Sequence, residues 1–181
     1  MKVSTLVSFF RPSAAVLVLL SLLLIGWTEH VTAVPVARSL SAPLQDSATW
    51  DAIQNLSQHA QSMQSEEHTN IRLIPRVNVS QDQVKICCLH ANILDYYLSN
   101  VLHQSDIEHP SMHLLKTNLA RVSEDLKRHG CSVTHYHNHH HAVEFRRKLK
   151  EMDGDQGIIK AVGEIDILFS YLQDFCIERK N

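Results

Sequence analysis

Between Gly157 and Phe175 the apolar residues fall at a spacing that suits a helical backbone. Ile158, Val162, Ile165, Phe169 and Leu172 stand three or four apart, so a helix carries them on one face. Lys160, Glu164 and Asp166 lie off that stripe, where they would face solvent or a partner. The same steps recur in Met112, Leu115, Leu119, Val122 and Leu126, and again in Val84, Cys87, Ala91, Leu94, Leu98 and Val101. Ala142, Phe145, Leu149 and Met152 make a shorter set that ends at Gly154. Trp50, Ile53, Leu56, Ala60 and Met63 form a more polar one. No stretch alternates with the period of two that a half-buried strand requires. Isolated helices of this length are marginal in water, so the stripes must cover one another. The expectation is an all-α fold, a compact bundle of five or six helices in one domain.

Local signals set the boundaries. Lys2 and Arg11 precede an apolar run from Ala14 to Trp27, and Val31-Thr32-Ala33 offers small residues to a signal peptidase. Residues 1–33 therefore read as a secretory signal peptide cleaved after Ala33, which places the protein outside the cell. The run falls short of the roughly 20 apolar residues a membrane span needs, so no membrane insertion is expected. Residues 34–46 read as a flexible leader with two prolines, Pro35 and Pro43, and residues 47–181 as the helical domain. Ser47 is expected to cap a first helix running to about Glu66. Ser80-Gln-Asp-Gln83 has capping-box spacing, Pro110 suits the first turn of a third long helix, and Pro75 holds Arg72-Leu-Ile-Pro75 extended.

Four cysteines follow the signal segment: Cys87, Cys88, Cys131 and Cys176. An even count in an exported chain implies two disulfides. Neighbours on a helix diverge by about 100°, so Cys87 and Cys88 reach different partners. The spacing leaves two cross-connections open. A net charge of −2, with no basic stripe interleaved with aromatics, argues against nucleic acid as a partner.

His135, His137, His139, His140 and His141 are crowded between Cys131 and the short helix. Neutral imidazoles bind zinc or copper, but a built site needs fixed geometry and groups that orient each ring. The stretch reads first as a soluble loop that charges below about pH 6.5, with weak metal binding as its incidental property. No nucleophile elbow, zinc-protease helix or glycine-rich phosphate loop is present, and no cofactor is implied. Nothing in the residues argues for an enzyme. Asn55-Leu-Ser57 and Asn78-Val-Ser80 match the N-glycosylation acceptor pattern.

Three blocks add something that spacing does not. Thr69-Asn-Ile-Arg-Leu-Ile74, Leu119-Ala-Arg-Val-Ser123 before Cys131, and Ile159-Lys-Ala-Val-Gly-Glu-Ile-Asp-Ile-Leu-Phe169 before Cys176 resemble the interleukin-10 family of class II helical cytokines, most of all its interleukin-22 branch. The resemblance covers about residues 66–177. It implies a six-helix bundle and a secreted immune-response protein that bridges two class II receptor chains and triggers Janus-kinase/STAT signalling, as in epithelial defence. The implied partners are an interleukin-22 receptor alpha-type chain, a shared interleukin-10 receptor beta-type chain and a soluble decoy receptor.

For the first chain, the matching positions are Glu66, Thr69, Asn70, Arg72, Lys160 and Glu164. Mammalian relatives carry an aspartate where Asn70 stands. For the second chain the sequence departs, with Ser111 and Leu114 in place of a tyrosine and a glutamate, and Trp50 as a candidate aromatic anchor. Adjacent cysteines opening a helix resemble the interleukin-19 and interleukin-20 branch, which implies the pairs Cys87–Cys176 and Cys88–Cys131. The competing expectation is a secreted histidine-rich protein that carries a metal or ligand without receptor signalling; a decoy occupying one receptor chain is a third.

Overall fold

The computed structural model describes residues 38–78, 80–131, 136 and 139–178; the signal segment lies outside them. Among the described residues the bundle is built from α1 (Ser47–Ser62), α2 (Gln83–Tyr96), α3 (Met112–Arg128), α4 (His140–Glu151), α5 (Gly154–Gly163) and α6 (Ile165–Phe175). A π-helical segment (Tyr97–Val101) and a last turn (Leu102–Gln104) prolong α2, and a single turn (Glu66–Thr69) follows α1.

Helix α2 is the hub. It packs against α3, α4 and α6, while α1 lies against α3 and α5. Every residue from Ile86 to Leu94 is buried, His90 and Asn92 included. A helix enclosed on all sides shows no clear stripe. That explains why the spacing misplaces Val84, which is 65% exposed, and passes over Ile86, Leu89 and Ile93, which are buried. Met63, also placed on a stripe, is 44% exposed because α1 has already ended.

Several boundaries move for identifiable reasons. Asp46, not Ser47, caps α1: its Oδ2 accepts from the Thr49 amide at 3.0 Å. Asp82, not Ser80, caps α2, its Oδ1 accepting from the Val84 amide at 2.9 Å. Ser80 instead donates to Asn78 Oδ1 through both its amide and its hydroxyl. In both cases a carboxylate sits where the first free amides point and outcompetes the nearby hydroxyl. Pro110 lies in the turn before α3, whose N-cap is Ser111.

The leader is not wholly free. Residues Arg38–Ser39 (β1) pair antiparallel with Ile177–Glu178 (β2), an addition to an otherwise helical fold. The Leu40 amide donates to the Cys176 carbonyl at 3.1 Å, Ser41 Oγ donates to Asp125 Oδ2 at 2.7 Å, and Leu44 is buried. Burying Leu44 offsets the entropy of fixing this approach. Residues 38–46 are therefore docked rather than flexible.

Two disulfides close the bundle. Cys87 bonds Cys176, 89 residues away, and ties α2 to the end of α6. Cys88 bonds Cys131, 43 residues away, just beyond α3. These are the two pairs the resemblance implies. Gly130, at φ 91°, turns the chain sharply enough for the Cys131 amide to reach back to the Leu126 carbonyl at 3.0 Å. No Cβ is tolerated well in that backbone conformation. The turn sets Cys131 beside α2.

Candidate functional site

The C-terminal stripe is not one helix. It opens at Gly154 and breaks at Glu164, which leaves the helical region at φ −107° and ψ 11°. The break exposes the Gly163 carbonyl, and α1 answers it: Ser57 Oγ donates at 2.8 Å and Gln61 Nε2 at 2.7 Å. Gly163 makes this approach possible, because a Cβ there would run into the Gln64 side-chain amide and stand 3.2 Å from Gln61 Cγ. Glycine before Glu164 is the one sequence signal that marks the break.

Freed from the helix, Glu164 turns inward. Its Oε2 accepts from the Leu73 and Ile74 amides, each at 2.9 Å, and Oε1 accepts from the Leu73 amide at 3.1 Å. Lys160 Nζ lies 3.4 Å from Glu164 Oε1 and donates at 3.4 Å to Gln64 Oε1 and the Thr69 carbonyl. Lys160 is 6% exposed and Glu164 5%. The expectation that both face solvent or a partner is overturned. A buried ion pair needs further hydrogen bonds to offset its desolvation, and the loop backbone supplies them. Together the two charges form a clamp on residues 69–74.

The clamp displays the loop's other groups. An open cavity of about 380 Å³ is lined by Thr69, Asn70, Arg72, Lys160 and Glu164 among others, so five of the six candidate residues converge on it. Thr69 and Asn70 are exposed. Arg72 is half-buried at the rim; its Nε donates to the Ile74 carbonyl at 2.8 Å and its Nη2 approaches the Tyr171 hydroxyl at 3.5 Å. Lys148 Nζ donates to the Arg72 carbonyl at 3.1 Å, holding the loop from α4. Glu66, the sixth, is exposed on the single turn and does not line the cavity. A wider opening of about 920 Å³, along residues 105–116, contains none of the six.

The other candidates are scattered. Leu114 is 46% exposed on α3, whereas Trp50 turns inward and stacks on Phe169 with ring centroids 6.0 Å apart. Asn55 and Asn78 are exposed; Ser57 of the first sequon is buried by its bond to Gly163. His135 and His137 lie outside the described residues. His139 is the N-cap of α4 rather than part of an open loop, and His140 and His141 are helical. His90, overlooked in the sequence, is wholly buried against Tyr171 with ring centroids 4.3 Å apart; burial drops its pKa to about 4. Burial pushes the Tyr97 hydroxyl, which donates to the Ala161 carbonyl at 2.9 Å, well above the ordinary range. These are the marks of a polar core held in register, not of an acid–base pair.

A disulfide-tied bundle of this form, with a loop clamped to a broken last helix, fits the class II helical cytokines. The family described as "Interleukin 22 IL-10-related T-cell-derived-inducible factor" matches residues 49–176, and the chain belongs to this interleukin-22 family. Human interleukin-22 is 30% identical over 115 residues. That match covers 62% of this chain and 64% of the human protein, less than two thirds of either. Mouse interleukin-24 is 27% identical over 136 residues, covering 70% of this chain and 74% of its own. The crystal structure of zebrafish interleukin-22 superposes with a TM-score of 0.63 at 30% identity, covering 75% of this chain and 96% of that one. No helix among the described residues is long and apolar enough to cross a membrane.

Proposed function

We propose that the protein is a secreted, interleukin-22-like cytokine that binds one class II receptor chain through the clamped loop and recruits a second through the α1–α3 face. The first partner is a chain of the interleukin-22 receptor alpha type, the second one of the interleukin-10 receptor beta type. Holding them together on a target cell starts Janus-kinase/STAT signalling. The mechanism is binding, not catalysis. Removal of residues 1–33 as a signal peptide and glycosylation at Asn55 and Asn78 belong to the same reading.

The observation that carries it is the convergence of Thr69, Asn70, Arg72, Lys160 and Glu164 on one cavity. Within this reading the roles divide. Arg72, Thr69, Asn70 and Glu66 are the groups offered outward, and an arginine at a rim suits a receptor carboxylate or a carbonyl pair. Lys160 and Glu164 act from beneath, fixing the backbone that presents the others. A preorganised loop loses less entropy on docking, which favours affinity.

The test is binding of the mature, oxidised protein to each candidate ectodomain, alone and combined. The proposal expects a binary complex with the alpha-type chain and a ternary complex when the beta-type chain is added. A binary complex that never recruits the second chain points to a decoy. Binding to neither chain refutes the proposal.

A further inference from the structure

The histidines that receptor binding leaves unused take on a definite geometry at the start of α4. His140 and His141 open the helix, and Glu144 follows four and three residues later, so the three side chains share one side. His140 Nε2 lies 3.9 Å from Glu144 Oε2, and His141 Nδ1 lies 3.8 Å from the same oxygen. One ligand atom from each of the three residues falls within 4.8 Å of the others. Two ligands bound at zinc distances on a tetrahedron stand about 3.4 Å apart, so the two histidine–glutamate pairs need close by about 0.5 Å and the two imidazoles, within 4.8 Å of each other, by up to about 1.4 Å.

Of the three, His141 is also poorly occupied otherwise. His141 Nδ1 and His139 Nδ1 are shut off from solvent and make no hydrogen bond to any described residue. The same holds for Nε2 of the buried His90 on α2, the helix against which α4 packs, although its Nδ1 bonds the Ile86 carbonyl at 2.7 Å. Buried polar nitrogens without partners are uncommon in folded proteins and call for an occupant. Glu144 is divided in its duties. Its Oε1 takes the Lys148 ammonium at 3.0 Å, which holds the carboxyl below its ordinary range, and Oε2 remains turned to the imidazoles.

We propose that His140, His141 and Glu144 bind one borderline divalent transition-metal ion, with zinc as the probe. Two imidazoles and a carboxylate suit zinc or copper(II); calcium and magnesium prefer oxygen ligands throughout. Three protein ligands leave one position open, to water or to a group on another molecule. The ion would staple the first turn of α4. The proposal assigns the ion to these three side chains alone.

The experiment is calorimetric titration of zinc into the chelator-stripped, oxidised mature protein, repeated for His141→Ala, Glu144→Gln and the double variant His135→Ala/His137→Ala. Saturation at one ion per chain is expected. Affinity should fall at least tenfold in each of the first two variants and hold in the third, with unchanged metal-free melting curves. Should His141→Ala disturb folding, His140→Ala replaces it, since the His140 side chain is 82% exposed. Absence of saturable binding overturns the proposal. So does wild-type affinity in the α4 variants, or loss of binding only in the double variant, which would mark incidental capture by the upstream histidines.

Discussion

At the α5–α6 junction, Lys160 and Glu164 are turned inward and bonded to the loop backbone. On α3, Leu114 stands 46% exposed, an apolar side chain on an otherwise polar face. The resemblance to the family implies receptor contacts at both regions, yet they are built on opposite plans. The junction spends its charges inside to hold a loop still; α3 offers its side chains directly on a helix that needs no such support. A charge off an apolar stripe is therefore not automatically a surface charge. Where a helix breaks, the stripe's geometry resets, and the residue at the break can become the most buried acid among the described residues.

The largest test of this contrast is Glu164→Ala. It strands the Leu73 and Ile74 amides and leaves the Lys160 ammonium buried without its counter-ion, so stability should fall by about 3–5 kcal/mol in urea unfolding. A loss below about 1 kcal/mol would return Glu164 to the surface class. Acid sensitivity comes next. His90 has a folded pKa of about 4 against an ordinary 6.5, mainly because burial disfavours its charged form. Between those values the unfolded chain binds more protons than the folded one. Stability is therefore lost as pH falls through that window, by about 3 kcal/mol at most. The difference between wild type and His90→Gln, followed by chemical denaturation from pH 7 to 4, should carry that slope.

Arg72→Ala separates presentation from support. It should weaken the first receptor chain by about 2 kcal/mol while costing about 1 kcal/mol or less in stability, as surface plasmon resonance and thermal melting would report. Leu114→Ser should be the mildest, leaving stability within about 0.5 kcal/mol. Any effect on binding should appear only in the ternary complex, with the first chain bound as before.

Much of the fold was legible because spacing and cysteine content report packing directly. The stripes of α1, α3 and α4 point to residues such as Leu56, Leu119 and Phe145 that are indeed buried. Helix α2 was harder, since burial on every side leaves no polar face to reveal its period. The break at Glu164 was hidden because its neighbours keep a helical rhythm across it; only Gly163 hints at it. Of the candidate site, the residue identities came from resemblance, and their convergence on one cavity needed coordinates. Glu144 was passed over for a related reason. Its relation to His140 and His141 is a helical one, and becomes visible only when the histidines are helical rather than in a loop.

The most direct measurement is hydrogen–deuterium exchange on the oxidised protein, free and bound to the proposed alpha-type receptor ectodomain. The Leu73 and Ile74 amides, bonded to Glu164, should already be slow in the free protein. Residues 66–72 should slow further only on binding. Fast exchange at Leu73 and Ile74 before binding, or protection confined to α3 after it, would contradict the claim that a clamped loop is what the receptor reads.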